Sequence, residues 1–340
     1  MRSVHAILPA AAAMLAATVP AVAQDGAAAE APQPGLAQGR EITRLLLAGE
    51  GAALSARLSP AFLGVIGGTS GLDRFLANVR ESAGAEQAVV EELVFHESGI
   101  TSYYRRSRFE RLPDVTILWA IDEAGTVVGG SVRPTQQPAP SDHLEYRTRA
   151  PLRLPFAAAP EGRWYVGWGG RDPIHNYHVI APDQRFAYDL YVAVDGRPFR
   201  TDGTTAQDYY CFGQPILAPA AGTVVEAIDG LPDNRPGQTD RTNPVGNHVV
   251  IDHGGGEFSF LAHLQQGSVA VRTGDALQPG QPLGRCGNSG NTSMPHLHYH
   301  LQTSAAFAQG EGLPAQFNAY RANGQPVARG EPQRGETLEP

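Results

Sequence analysis

The sequence predicts a small α+β domain at the N-terminus and a mainly antiparallel β domain at the C-terminus. Three observations carry this. Apolar residues recur at helical spacing from residue 41 to residue 81, the pattern changes to strand-like alternation from residue 89, and from Leu144 short β-rich runs are punctuated by glycine. The chain has 340 residues, 42% hydrophobic and 18% charged, enough for two modest domains that each bury a core. It contains no lysine, so every basic residue is arginine, and its formal net charge is -8. An acidic chain with scattered arginines argues against nucleic acid as a partner.

Residues 1–23 read as an export signal: Arg2 supplies positive charge, Ala6 to Val19 is apolar, and Ala21-Val22-Ala23 fits a small-residue cleavage site before Gln24. The apolar stretch is shorter than the roughly 20 residues of a membrane span, and no cysteine follows it for lipid attachment. The expectation is an exported chain, periplasmic or secreted, with no membrane span in its mature part. Residues 24–39, rich in Ala, Pro, Gly and Gln, are expected to be a flexible leader.

An α+β domain is expected over residues 40–134. Ile42, Leu45, Leu46 and Leu54 mark a helical segment, Ser59-Pro60 supplies a cap and a proline at the first position of the next helix, and a third helix fits Leu72 to Glu81. Gly64 to Gly71 lacks a following Gly-Lys-Ser or Gly-Lys-Thr and reads as a loop, not a phosphate cradle. Val89 to Phe95, Ile100 to Phe109, Val115 to Ile121 and Thr126 to Val132 alternate as strands, with Asp122 to Gly125 as a hairpin turn. In pattern this resembles the cone-shaped domain of cystatin-like and nuclear-transport-factor-like proteins. Tyr103, Tyr104 and Trp119 could line its pocket, although half-buried strand aromatics mostly pack.

A proline-rich linker is expected over 135–143, a β-rich domain over 144–321 and a disordered tail over 322–340. The β-rich part offers strand-like runs at Leu152–Pro155, Trp164–Trp168, Phe186–Val194, Ile216–Ala227, His248–His253, Glu257–His263 and His296–Gln302. The two cysteines, Cys211 and Cys286, both fall there. An oxidising compartment favours a disulfide between them; joint ligation of zinc competes, but neither has a close-spaced Cys or His partner.

Nine of the 11 histidines lie at or after His143. His296, His298 and His300 alternate along one strand, where such side chains share a face about 6.6 Å apart. Imidazole is the commonest zinc ligand, and a catalytic zinc takes three protein groups and leaves a fourth position for water. No His-Glu-x-x-His helix is present, so histidine would have to serve as the base; no Gly-x-Ser-x-Gly elbow supports a serine hydrolase.

Several segments occur together and in order: Ala218 to Val225, Gly246-Asn247-His248-Val249-Val250-Ile251, Leu261-Ala262-His263-Leu264, Gly280 to Gly284, and Gly287 to Asn291 leading to His296-Leu297-His298. From about Asn176 to Gln302 the chain resembles the lysostaphin-type (LytM-like) zinc endopeptidases, which cut peptides of bacterial peptidoglycan. The resemblance implies their antiparallel β fold, a duplicated hybrid motif, with a zinc cofactor and peptidoglycan peptides as substrate. It makes His298 a ligand and places His263 and His296 beside the reacting groups as catalytic residues. The family's short His-x-x-x-Asp motif is missing, because Thr204 stands four residues before Asp208. A longer-spaced version makes His178 and Asp189 the other two ligands, with His175 and Asp208 as alternatives.

Two other readings are weighed. Parts of the same region resemble biotinyl and lipoyl carriers, which need a lysine that this chain lacks. An inactive relative that binds cell wall or activates another hydrolase would have lost ligands, whereas His263 and His-x-His are present.

Overall fold

The computed structural model describes residues 34–97 and 99–340. The expected export signal and the first part of the leader lie outside the described residues. The chain divides into two compact units between Gln136 and Gln137. Among the described residues no helix is long and apolar enough to cross a membrane.

The N-terminal unit places α1 (Pro34–Ala48), α2 (Gly51–Ser55), α3 (Pro60–Val65) and α4 (Gly68–Ala83) before an antiparallel meander. Its strands are β1 (Glu86–Glu97), β2 (Ile100–Phe109), β3 (Val115–Asp122) and β4 (Val127–Pro134), paired in that order. Ile42, Leu45 and Leu46 of α1 and Leu72 and Leu76 of α4 bury against Val94, Tyr103, Ile117 and Trp119 of the sheet. That burial, rather than the short helices' own propensity, holds them. The Ser59 side chain accepts from Phe62 N at 3.1 Å and caps α3. Tyr103 and Trp119 are core residues, and Trp119 Nε1 donates to Thr43 Oγ1 at 2.9 Å.

Two expectations change here. Residues 34–39 are helical rather than part of a flexible leader: Pro34 starts α1, Leu36 packs on the core, and Gly39 lets the helix lie against the Tyr103 ring. Residues 68–71, expected in a loop, open α4. The tight passage from α3 needs glycine, since Gly67 has φ 88° and a Cβ on Gly71 would sit 1.8 Å from the Ile66 carbonyl oxygen.

The C-terminal unit is mostly antiparallel strand. Its strands are β5 (Arg163–Trp168), β6 (Tyr188–Ala193), β7 (Pro215–Leu217), β8 (Gly222–Ile228), β9 (Asn247–Asp252), β10 (Phe258–Leu264) and β11 (Ala276–Leu277). Then follow β12 (Pro282–Arg285), β13 (Leu297–Gln302), β14 (Gly312–Leu313), β15 (Phe317–Ala322), β16 (Gln325–Gly330) and β17 (Thr337–Glu339). The main sheet runs β11-β8-β9-β10-β13-β6-β5-β17-β15-β16, with β14 on β13, and β12 pairs β7 separately. One core, including Val166, Leu190, Val249, Leu261, Leu297 and Tyr299, lies beneath it.

The run Ile216–Ala227 is two strands, β7 and β8, because Pro219 cannot donate to a ladder. Leu152–Pro155 is not a strand: Pro151 and Pro155 lack donors, and only Phe156 bridges, to Ile216. The tail at 322–340 is ordered. Asn323 and Gly324 have φ 51° and 74°, the left-handed pair that closes a two-residue hairpin between β15 and β16, and β17 then pairs β5. Leu338 and Arg334 are fully buried there.

Candidate metal centre

Strand register brings the chemistry together. Asp189 on β6 lies opposite His298 on β13, and His298 lies opposite Ala262 on β10. Directly opposed residues share a sheet face, so Asp189 and His298 meet above the strands. His178 arrives from a single 3₁₀ turn, Tyr177–Ile180, capped by the Asn176 side chain. One ligand atom each from His178, Asp189 and His298 fall within 4.8 Å of one another. The Asp189 Oδ1 atom is the focus, 3.6 Å from His178 Nε2, 3.0 Å from His298 Nδ1 and 3.4 Å from His296 Nε2.

The tautomers of three rings can be read from their partners. Asn176 Nδ2 donates to the carbonyls of Gly170 and Ala187, so its oxygen must face His178, where it accepts the Nδ1–H at 2.9 Å. The His178 Nε2 lone pair is thereby turned toward Asp189. His263 Nδ1–H donates to the Ser289 carbonyl at 2.8 Å, which frees its Nε2, and His296 Nδ1–H donates to the Met294 carbonyl at 2.8 Å, which turns its Nε2 to Asp189. The Tyr177 hydroxyl donates to Asp189 Oδ2 at 3.2 Å and leaves Oδ1 to the cluster. Tyr177 meets the Trp168 ring edge-on, and the Arg334 guanidinium lies 3.9 Å from the centroid of Trp168, so the ordered C-terminal segment backs this wall.

His263 would face away from the site on a regular β10, since its neighbour Ala262 already faces it. A register shift between Leu261 and Leu264 and a left-handed φ of 63° at His263 re-aim the ring. It then packs 4.9 Å from the His296 ring and 5.7 Å from the His298 ring. The loop that accepts from His263 is pinned by close glycines: a Cβ on Gly246 would meet the Ser289 carbonyl oxygen at 2.2 Å.

His178, Asp189, His263, His296 and His298 are only 5–9% exposed. Burial drives His178 down to about 3, against the pull of Asp189, and His298 and His296 add to the lowering. Burial and the neighbouring His296 and His298 likewise hold His263 well below the usual imidazole range. Burial would raise the Asp189 carboxyl, but His178 and His296 outweigh it and keep the carboxyl well below its usual range. On His296 the burial penalty is outweighed by Asp189, and its value is raised. Imidazole nitrogens converging on a carboxylate that is held ionised fit a divalent cation, and three protein groups are the number that an open zinc site takes. His178, Asp189 and His298 would hold it.

His175 and Asp208 are elsewhere. His175 Nδ1 bonds Asp172 Oδ2 at 2.6 Å, and Asp208 caps an exposed 3₁₀ turn through Thr205. Cys211 and Cys286 are joined as a disulfide across 75 residues, with Cα atoms 5.8 Å apart, which disposes of their joint ligation of zinc. The sequence assigns no role to Asn176, Tyr177 or Trp168; Asn176, two residues before His178, is the one signal that points to a cap. On the same sheet face, Val250 lies opposite both Phe260 and Glu226. There Glu226, Val245, His248 and Phe307 line a groove of about 460 Å³.

The antiparallel β unit thus carries a His/Asp/His cluster that could hold a metal ion. Residues 203–310 match the sequence model of peptidase family M23, so this part of the chain is similar to that family. The match takes in His263, His296 and His298 but begins after His178 and Asp189. The chain is 33% identical over 90 residues to the peptidoglycan DD-endopeptidase ShyA of Vibrio cholerae, covering 26% of this chain and 17% of that protein. It is 31% identical over 87 residues to the murein hydrolase activator EnvC of Escherichia coli K12, covering 26% and 20%. The matched segment thus spans about a fifth of the length of these curated relatives. Among solved structures, the catalytic domain of lysostaphin from Staphylococcus simulans is 22% identical, covering 37% of this chain and 73% of that one, with a TM-score of 0.25.

Proposed function

We propose that the protein is an exported zinc-dependent endopeptidase that hydrolyses peptide bonds in the stem peptides or cross-links of bacterial peptidoglycan. The observation that supports this most is the convergence of His178, Asp189 and His298, drawn from a turn and two strands, beside the His263–His296 pair. The DD-endopeptidase relative supports the substrate class. When bound, zinc supplies a Lewis acid that polarises a substrate carbonyl and acidifies water, toward a pKa of about 7.

The chain's own residues do the rest. His263, neutral and held by its Nδ1–H on Ser289, offers Nε2 as the acceptor for the proton of the attacking water. As an imidazolium it can return that proton to the leaving amine. His296, held by its Nδ1–H on Met294 and raised by Asp189, can carry a second proton on Nε2 and donate it to the oxyanion that forms at the scissile carbonyl. Low exposure of all five side chains excludes bulk water and strengthens these interactions. The adjoining groove offers room for the substrate chain to extend along β9 and β8.

The similarity to a murein hydrolase activator favours one alternative, an inactive relative that binds cell wall or stimulates another hydrolase. Digestion of purified sacculi, with mass analysis of the released fragments, separates the two. Peptide-bond cleavage that chelation and His263→Ala both abolish is the expected result. A metal-loaded protein that releases nothing alone but stimulates a second hydrolase would overturn the proposal.

A further inference from the structure

His300, two residues beyond His298 on β13, has no part in the scheme above. It is 1% exposed, its ring lies parallel to Phe260 with centroids 4.6 Å apart, and its Nδ1 is 2.9 Å from His298 Nε2. Among the described residues, His300 Nε2 finds no hydrogen-bond partner. The bond between His298 and His300 joins two imidazole nitrogens, so one carries the proton and the other its lone pair. Two arrangements satisfy it, and they differ at the far edge of His298. If His300 Nδ1 donated, His298 would carry its proton on Nδ1, the atom 3.0 Å from Asp189 Oδ1, and that nitrogen could not ligate. If His300 Nδ1 accepts, His298 is the Nε2–H tautomer and its Nδ1 lone pair faces the cluster.

We infer that His300 is a positioning residue: a fixed acceptor that holds His298 as the Nε2–H tautomer and so presents Nδ1 to the cation. The inference rests on the metal-centre reading of the proposed function. The ring is well placed for this. Phe260 pairs with His300 across β10 and β13 and stacks on it, which fixes the plane of the ring, and the 2.9 Å bond to His298 Nε2 sets which edge faces the cluster. The His300 Nε2 finds no hydrogen-bond partner among the described residues, so nothing on that side fixes the ring's tautomer; Asp189 Oδ1, which would draw the His298 proton to Nδ1, is the cation's own ligand in the proposed site. The role parallels that of Asn176, which fixes His178 from the other side. A metal-ligating histidine ordinarily gives its second ring N–H to such an acceptor, which orients the ring and raises its basicity.

The test compares His300→Phe, which keeps an aromatic ring against Phe260 but removes the acceptor, with His300→Gln, which retains one. Zinc affinity is read by competition with a chelating dye on the full-length chain, alongside long-range proton–nitrogen NMR of the zinc-loaded wild type. The expected result is a zinc Kd raised about 10–100-fold in the phenylalanine variant and restored to within a few-fold by glutamine. NMR should show the proton on Nε2 of both His298 and His300, a signature that stands even if a variant does not fold. Wild-type affinity in His300→Phe, equal loss in both variants, or zinc on His298 Nε2 would overturn the inference while leaving the metal centre intact. A wild-type chain that takes up no zinc would overturn the metal-centre reading and this inference with it.

Discussion

Replacing Cys211 and Cys286 together by alanine removes a cross-link that closes a loop of 75 residues. Loop-closure entropy for n of 75 amounts to about 15 cal/mol/K, or about 4.5 kcal/mol at 25 °C, lost from the constraint on the denatured chain. In a unit of roughly 200 residues each kcal/mol moves the midpoint by about 2–4 °C, so the double variant should melt about 9–18 °C lower. Both cysteines are buried, at 1% and 0% exposure, so a mild reductant would not reach the bond and substitution is the cleaner perturbation. The effect reaches the site as well. Cys286 bridges to Leu264 and lies three residues before Ser289, whose carbonyl holds His263. Differential scanning calorimetry of the two proteins, at equal zinc, reads the shift. A fall of under about 3 °C would refute the reasoning, because the loop term alone exceeds it several-fold.

Asn176→Ala should weaken zinc binding by about 10–100-fold in chelator competition, because the acceptor that fixes the His178 tautomer is lost. Leu338→Ala should cost about 2–5 kcal/mol in urea unfolding, since the side chain is 1% exposed in the strand that joins β5 to β15; an exposed, disordered tail would give no change. Burial would raise the Asp172 carboxyl, but its bond to His175 outweighs this and its folded value lies below the unfolded 3.8. Its contribution is therefore present above about pH 4 and fades as pH falls through the folded value. Urea unfolding from pH 5 to pH 2 should show that acid loss in the wild type and a shallower one in Asp172→Asn.

Most of the fold could be read from the sequence because its strands alternate and its turns are marked. Strands β2 and β3 and the helix opened by Ser59-Pro60 follow from period and capping alone. The tail has the composition of a disordered segment, but two local features oppose it: Asn323-Gly324 is a hairpin turn, and Leu338 is an apolar residue with a slot to fill. His296 and His298 share a site by simple alternation. His263 does not, since alternation turns it to the opposite face, and only a backbone bulge with positive φ at a non-glycine residue brings it in. His178 and Asp189 have no local pattern that separates them from His175 and Asp208. Register sets Asp189 opposite His298 across β6 and β13, a long-range pairing that spacing does not encode, and His178 reaches them from a separate 3₁₀ turn.

The central claim is that His178, Asp189 and His298 grip one divalent cation. Elemental analysis of the purified full-length protein, after equilibration with limiting zinc and removal of loosely held metal, tests it most directly when wild type is compared with Asp189→Asn and His298→Ala. The account predicts about one zinc per chain in the wild type and its loss from both variants while near-ultraviolet circular dichroism stays unchanged. A metal-free wild type, or variants that keep a full equivalent of zinc, would contradict it.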